Sequence, residues 1–236
     1  MVQLIEYAAV VSSAIYAVGL AGRHGMDPVG TLSTAMIVSF GGGTLRDLFL
    51  ARRPLFWIEQ EEYVVVVLTI AAVGAFFPKL AARSERWLTV PDALGLGLFA
   101  VSGTAIARQE GAGPLVSSLL GVVTGTFGGV IGDVVCNRVP SLFRPAPLYA
   151  TCAFVGAWCL LIPVWAGADS RAVQPFAVAA VVTLRLIAVR RDWTMKPVGD
   201  SRPADELQSS GVNGPATTRK RSRSARRPSS SAQRSR

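Results

Sequence analysis

Two short stretches carry most of the chemistry that this sequence offers. Gly41-Gly42-Gly43-Thr44-Leu45-Arg46-Asp47 lies inside a long apolar run, and Phe127-Gly128-Gly129-Val130-Ile131-Gly132-Asp133 repeats it in altered form 86 positions later. Glycine loosens a helix, and ionisable groups at membrane depth face protein or water rather than lipid. A local break at Gly41–Gly43, and another at Gly128 and Gly129, would free backbone amides and carbonyls to line a hydrated path. Asp47 and Asp133 are the natural carboxylates to attract a cation there. Arg46 has Gly132 in its place in the second copy. Neighbours along a helix point in different directions, so Arg46 is expected to pass over Asp47 and reach Asp133 as a gate. The competing readings are plain ones: glycines that allow close helix packing, aspartates that cap helix ends, and an arginine that snorkels to the headgroups.

Ser102 and Thr126 are further candidates to line a pore, together with Ser12, Ser13, Thr104 and Thr124, although most membrane Ser and Thr bond their own helix. Arg185 stands inside an apolar run and needs a partner. His24, the sole histidine, is expected in a solvated loop. Cys136, Cys152 and Cys159 show no close metal-ligand spacing and read as inert thiols. No nucleophile–base set and no metal cluster stand out, so an enzyme, a cofactor and a bound metal are not expected.

The elements that position these residues must be membrane helices. Half of the residues are hydrophobic and only 17% are charged, against about 25% in a soluble domain. Mean hydropathy is +0.40. Seven apolar segments approach the length of about 20 residues that spans a bilayer, at 4–22, 28–50, 63–80, 91–107, 113–137, 147–166 and 173–190. The first lacks a basic leader and reads as a span rather than a signal peptide.

At an offset of 86, Pro28 matches Pro114, Gly42 and Gly43 match Gly128 and Gly129, Asp47 matches Asp133, Arg52 matches Arg138 and Tyr63 matches Tyr149. Glu6 and Asp92 form an acidic pair in the same register. Three spans per copy is an odd number, so the second copy must enter the membrane from the opposite side. The expected organisation is a first three-helix repeat at 1–88, a second at 89–170, a seventh helix at 171–195 and a disordered basic tail at 196–236. The whole is an all-α membrane protein. The tail holds 10 of the 24 Lys and Arg. Its Arg219, Lys220 and Arg221 suit anionic lipid headgroups better than nucleic acid. A basic tail on the inside fixes the orientation: C-terminus cytoplasmic in a bacterial plasma membrane.

The loop Ala21-Gly22-Arg23 to Asp27, the glycine triplet with Arg46-Asp47 and the later Gly128-Gly129 with Gly132-Asp133 together resemble the duplicated bacterial membrane family related to trimeric intracellular cation channels. The resemblance spans roughly residues 4–192. It implies two inverted three-helix repeats plus a seventh helix, a homotrimer, and a pore in each protomer for monovalent cations, chiefly potassium. Kinks in the second and fifth helices would shape that pore. Phe127 stands where the first copy has Gly41, which breaks the symmetry of the two motifs. Bacterial members of the family are also described as glycine transporters. The expected function is therefore a cation channel; the alternatives are a carrier for glycine or a similar small zwitterion, and a membrane scaffold that recruits a partner through its tail.

Overall fold

The computed structural model of the chain describes residues 1–77 and 85–195. Seven helices of 16 residues or more account for most of them: α1 (Val2–Arg23), α2 (Pro28–Phe49), α4 (Glu61–Phe76), α5 (Glu85–Gln109), α6 (Pro114–Val135), α7 (Ala150–Trp165) and α8 (Ser170–Arg190). A short α3 (Phe56–Glu59) and a 3₁₀ turn (Ser141–Phe143) fill corresponding connections. No strand occurs among the described residues.

The helix boundaries follow local chemistry. Pro28 opens α2, where its missing N–H costs nothing, and the Asp27 carboxylate accepts the Gly30 N–H at 2.6 Å. Pro114 opens α6 in the same way. Gly25 and Gly111 follow α1 and α5 with φ of +63° and +84°, a left-handed turn that strains any other residue. After α2 and α6 the left-handed position is taken by Ala51 and Asn137, at φ of +53° and +54°. Behind them the Arg52 and Arg138 N–H groups reach back to the Asp47 and Asp133 carbonyls, both at 2.8 Å. Every one of these paired features is 86 residues apart, so the sequence repeat is also a repeat of backbone conformation.

The first three long helices pack on one another, as do α5, α6 and α7. The two sets join where α1 meets α5 and where α2 meets α6, and α8 packs on α5 and α7. Two apolar cores result. One holds Ala9, Val10, Val38, Phe56, Tyr63 and Val67; the other holds Leu96, Val101, Tyr149, Leu160 and Val181.

The seven expected apolar segments coincide with the seven long helices. Four stretches are long and apolar enough to cross a membrane: α1, Trp87–Gln109 of α5, α6 and α8. Helix α2 matches α1 and α6 in length, at 22 residues or about 33 Å, but carries Arg46 and Asp47 within its apolar run. The described parts of α4 and α7 are 16 residues each.

Candidate functional site

Near the start of α1 the Glu6 carboxylate is buried against Arg46 of α2. Arg46 Nη1 donates to Glu6 Oε1 at 2.5 Å, and Arg46 Nε donates to Asp47 Oδ1 at 2.8 Å. The guanidinium has no exposed surface and stands over the Phe56 ring, 5.3 Å from its centre. Asp47 is equally occupied. Its Oδ2 accepts the Phe56 N–H at 2.9 Å, and Arg52 Nη1 approaches Oδ1 at 3.4 Å. Arg52 in turn pairs with Glu110 at 3.2 Å, tying the end of α2 to the end of α5. Burial is tolerable here because two carboxylates and one buried guanidinium satisfy each other, with Arg52 completing the balance.

The second repeat builds a related cluster at the other end of the bundle from different parts. Asp92 takes the place of Glu6 and Tyr149 that of Tyr63, and the Tyr149 hydroxyl donates to Asp92 Oδ1 at 3.0 Å. Gly132 occupies the position of Arg46, where a side chain would run into Val38 and Leu20. The cation comes instead from α8. Arg185 Nη2 meets Asp92 Oδ2 at 3.4 Å, and the guanidinium lies over the Tyr149 ring at 4.6 Å. Arg185 Nη1 is held by the Pro147 and Leu148 carbonyls at 2.9 and 3.0 Å. Asp133 accepts the Ser141 N–H at 2.9 Å, as Asp47 does that of Phe56.

Between the two clusters α2 and α6 cross in near contact. A Cβ on Gly42 would overlap the Thr124 carbonyl, and a Cβ on Gly128 would overlap the carbonyl of Val38. These two contacts exchange under the 86-residue offset, so one pseudo-two-fold axis passes through the crossing. Gly43 and Gly129 each lie against an aromatic side chain, but not an equivalent one: Phe56 for the first and the Tyr149 hydroxyl for the second. Glycine is required here because backbone meets backbone.

Two polar cavities adjoin the second cluster. An open vestibule of about 260 Å³ is walled by Arg23, Arg138, Arg144 and Arg185, with Asp92, Asp133 and Ser141. Deeper in, a cavity of about 20 Å³, room for about one water, lies among Ser13, Thr124, Gly125 and Gly128. Tyr16, Asp92, Gly129 and Tyr149 line both, so they form the neck between them. The inner cavity opens on this side of the axis because Gly95 and Gly125 stand where the first repeat has Ala9 and Ser39. A separate cleft of about 470 Å³ between α1, α4 and α5 has Ile15, Val18, Ile70 and Trp87 in its wall, and none of its described lining residues is charged. Among the described residues no group of His, Cys, Asp and Glu is arranged to hold a metal.

The family model described as "Glycine transporter" matches this chain twice, over residues 3–79 and 89–165. The chain belongs to the glycine transporter family. The two matched segments are themselves 86 residues apart, as the backbone repeat is. Among relatives of this glycine transporter family member is the UPF0126 inner membrane protein YadS of Escherichia coli K12, 34% identical over 65% of this chain and 75% of that protein. A UPF0126 membrane protein of Vibrio cholerae is 33% identical over 80% of each chain. Among solved structures, the TRIC trimeric intracellular cation channel orthologue from Rhodobacter sphaeroides superposes with a TM-score of 0.75 at 32% identity, covering 81% of this chain and 98% of that one. The protein is an all-α, multi-pass membrane protein of the bacterial plasma membrane, related to the TRIC channels.

Placed in this family member, the residues singled out from sequence divide into three groups. Asp133, Gly128 and Gly129 line the cavities. Gly41, Gly42 and Gly43 serve packing, and both α2 and α6 run as unbroken α-helix through their glycines, so the expected local breaks are absent. A glycine that admits a neighbouring backbone has no need to interrupt its own. Arg46 pairs with Asp47 directly and does not reach Asp133. Its three-carbon stem curls back far enough to bridge adjacent positions, and in a site without water the nearest carboxylates claim it. Ser102 and Thr126 are buried and bond the Phe99 and Val122 carbonyls of their own helices, away from either cavity. Arg219, Lys220 and Arg221 lie outside the described residues. The residues that sequence reasoning underused are Glu6, Asp92 and Tyr149. Their signal was present in the offset pairs Glu6/Asp92 and Tyr63/Tyr149.

Proposed function

We propose that this protein is a membrane channel for monovalent cations, chiefly potassium, with the conducting path through the second repeat of each protomer. The observation that carries the reading is the pair of polar cavities joined at Asp92, Gly129 and Tyr149, leading from a charged vestibule to the α2–α6 crossing. Hydroxyls of Ser13 and Thr124 and the carboxylates of Asp92 and Asp133 are oxygen groups of the kind that replace a cation's water. The inner cavity holds about one water, so this conformation is closed to a hydrated ion. Asp47 does not serve the ion, because Arg46, Arg52 and the Phe56 N–H occupy it. The related Rhodobacter sphaeroides protein is described as a trimeric cation channel, which supports conduction and a homotrimer here. The two three-helix repeats are then inverted in the bilayer, with the vestibule and its arginines on the cytoplasmic side.

The test is single-channel recording of the purified protein in a planar bilayer under a potassium chloride gradient. Unitary currents reversing near the potassium potential, and reduced in Asp133→Asn, are expected. Wild-type silence refutes the reading.

The family description favours a second reading, a carrier for glycine or a similar zwitterion. The vestibule offers arginines to a carboxylate and Asp92 or Asp133 to an ammonium group. Saturable glycine uptake into liposomes, from a preparation that passes no current, would select it.

A further inference from the structure

We propose that Arg185 and Asp92 form a charge lock across the neck, and that this ion pair sets the path's preference between cations and anions. The inference rests on the channel reading above. Both ends of the bundle hold an acidic residue of the first helix of a repeat, an arginine and an aromatic ring. The first end is closed: Arg46 contacts its two carboxylates at 2.5 to 2.8 Å and has no exposed surface. The second end is looser. The Arg185–Asp92 contact is 3.4 Å, both side chains keep 11 to 14% exposure, and both line the vestibule.

The source of the arginine matters. In the first repeat the cation is fixed on α2 itself, one residue before Asp47, which the repeat pairs with Asp133. In the second repeat Gly132 stands at that position, crowded by the Val38 and Leu20 side chains, and the charge arrives on α8, which packs on α5 and α7. The neck's charge is therefore set from outside the α2–α6 crossing. With the lock closed, Asp92 is neutralised and Arg138 and Arg144 outweigh Asp133. With Arg185 withdrawn, an uncompensated carboxylate faces the neck beside the Tyr149 hydroxyl and Ser13, and the local field favours a cation.

The two members of one pair must then act with opposite sign, which a purely structural role would not produce. Reversal potentials in a potassium chloride gradient give the potassium-to-chloride permeability ratio. Arg185→Gln is expected to raise it on the order of tenfold, the scale set by one unit charge a few ångströms from a partly hydrated path. Asp92→Asn is expected to lower it by a similar factor, and the double variant to return close to wild type. Shifts of the same sign in both single variants, or no shift in either, overturn the lock while leaving the channel standing. Wild-type silence refutes the channel reading and the lock with it. Should a single variant fail to fold, Arg185→Lys keeps the charge and removes the fork: a wild-type ratio is expected, and a tenfold change overturns the proposal.

Discussion

Arg46→Met removes the one cation between two buried carboxylates while keeping much of the side-chain volume. Arg46 is wholly buried, and the Glu6 and Asp47 side chains are 7% and 1% exposed. Removing one partner of such a cluster costs about 3–5 kcal/mol, because it strands the Glu6 charge and leaves Asp47 to Arg52 and the Phe56 N–H alone. Glu6→Gln is milder. The amide oxygen still accepts from Nη1, Asp47 still neutralises the guanidinium, and the loss is that of one charge-assisted bond, about 1–2 kcal/mol. Asp47→Asn falls between them, since its new NH₂ must face either the Arg46 Nε–H or the Phe56 N–H, both donors. At about 2–4 °C per kcal/mol for a chain of this size, the Arg46→Met midpoint should drop by about 6–20 °C. The assay is tryptophan fluorescence of the detergent-solubilised protein on heating, with all variants at one scan rate because irreversible unfolding makes the midpoint partly a rate. An Arg46→Met midpoint within about 2 °C of wild type, or a Glu6→Gln midpoint below it, would refute the account of this cluster. The same burial argues that Arg46 carries no gating charge.

Gly42→Ala and Gly128→Ala each place a methyl group inside a carbonyl of the opposing helix and should destabilise by about 2 kcal/mol or more, whereas Gly113→Ala, with open space around it, should be nearly silent; thermal unfolding of the three variants checks this. Gly129→Ala puts a methyl 3.1 Å from the Tyr149 hydroxyl at the neck, so unitary conductance should fall several-fold with little change in stability; an unchanged conductance would move the path elsewhere. Removing residues 197–236 should leave current or glycine uptake in liposomes intact, and loss of both would favour the scaffold role for the basic tail.

Sequence alone carried the architecture a long way. Apolar runs of about 20 residues can be little else than membrane helices, and Pro28/Pro114 with Gly25/Gly111 mark the same turn twice because proline and glycine each constrain the backbone in one readable manner. The repeat was legible for the same reason. Chemistry-bearing residues were legible as types: Asp133, Gly128 and Gly129 do line the cavities. Their partners were not, because side-chain pairing depends on which helices meet. Helical geometry within one segment argued against Arg46 touching Asp47, yet a long side chain in a dry site follows the nearest opposite charge. The glycine motifs looked alike in one dimension, but only the packing of α6 shows that Val38 and Leu20 crowd the position of Gly132. The charge of the second cluster therefore comes from Arg185, 93 residues after Asp92 in the chain, and two polar cavities adjoin that cluster. Composition and periodicity determine which segments are helices and where they turn; the sub-ångström fit of helix on helix decides which charges are locked away and which face a cavity.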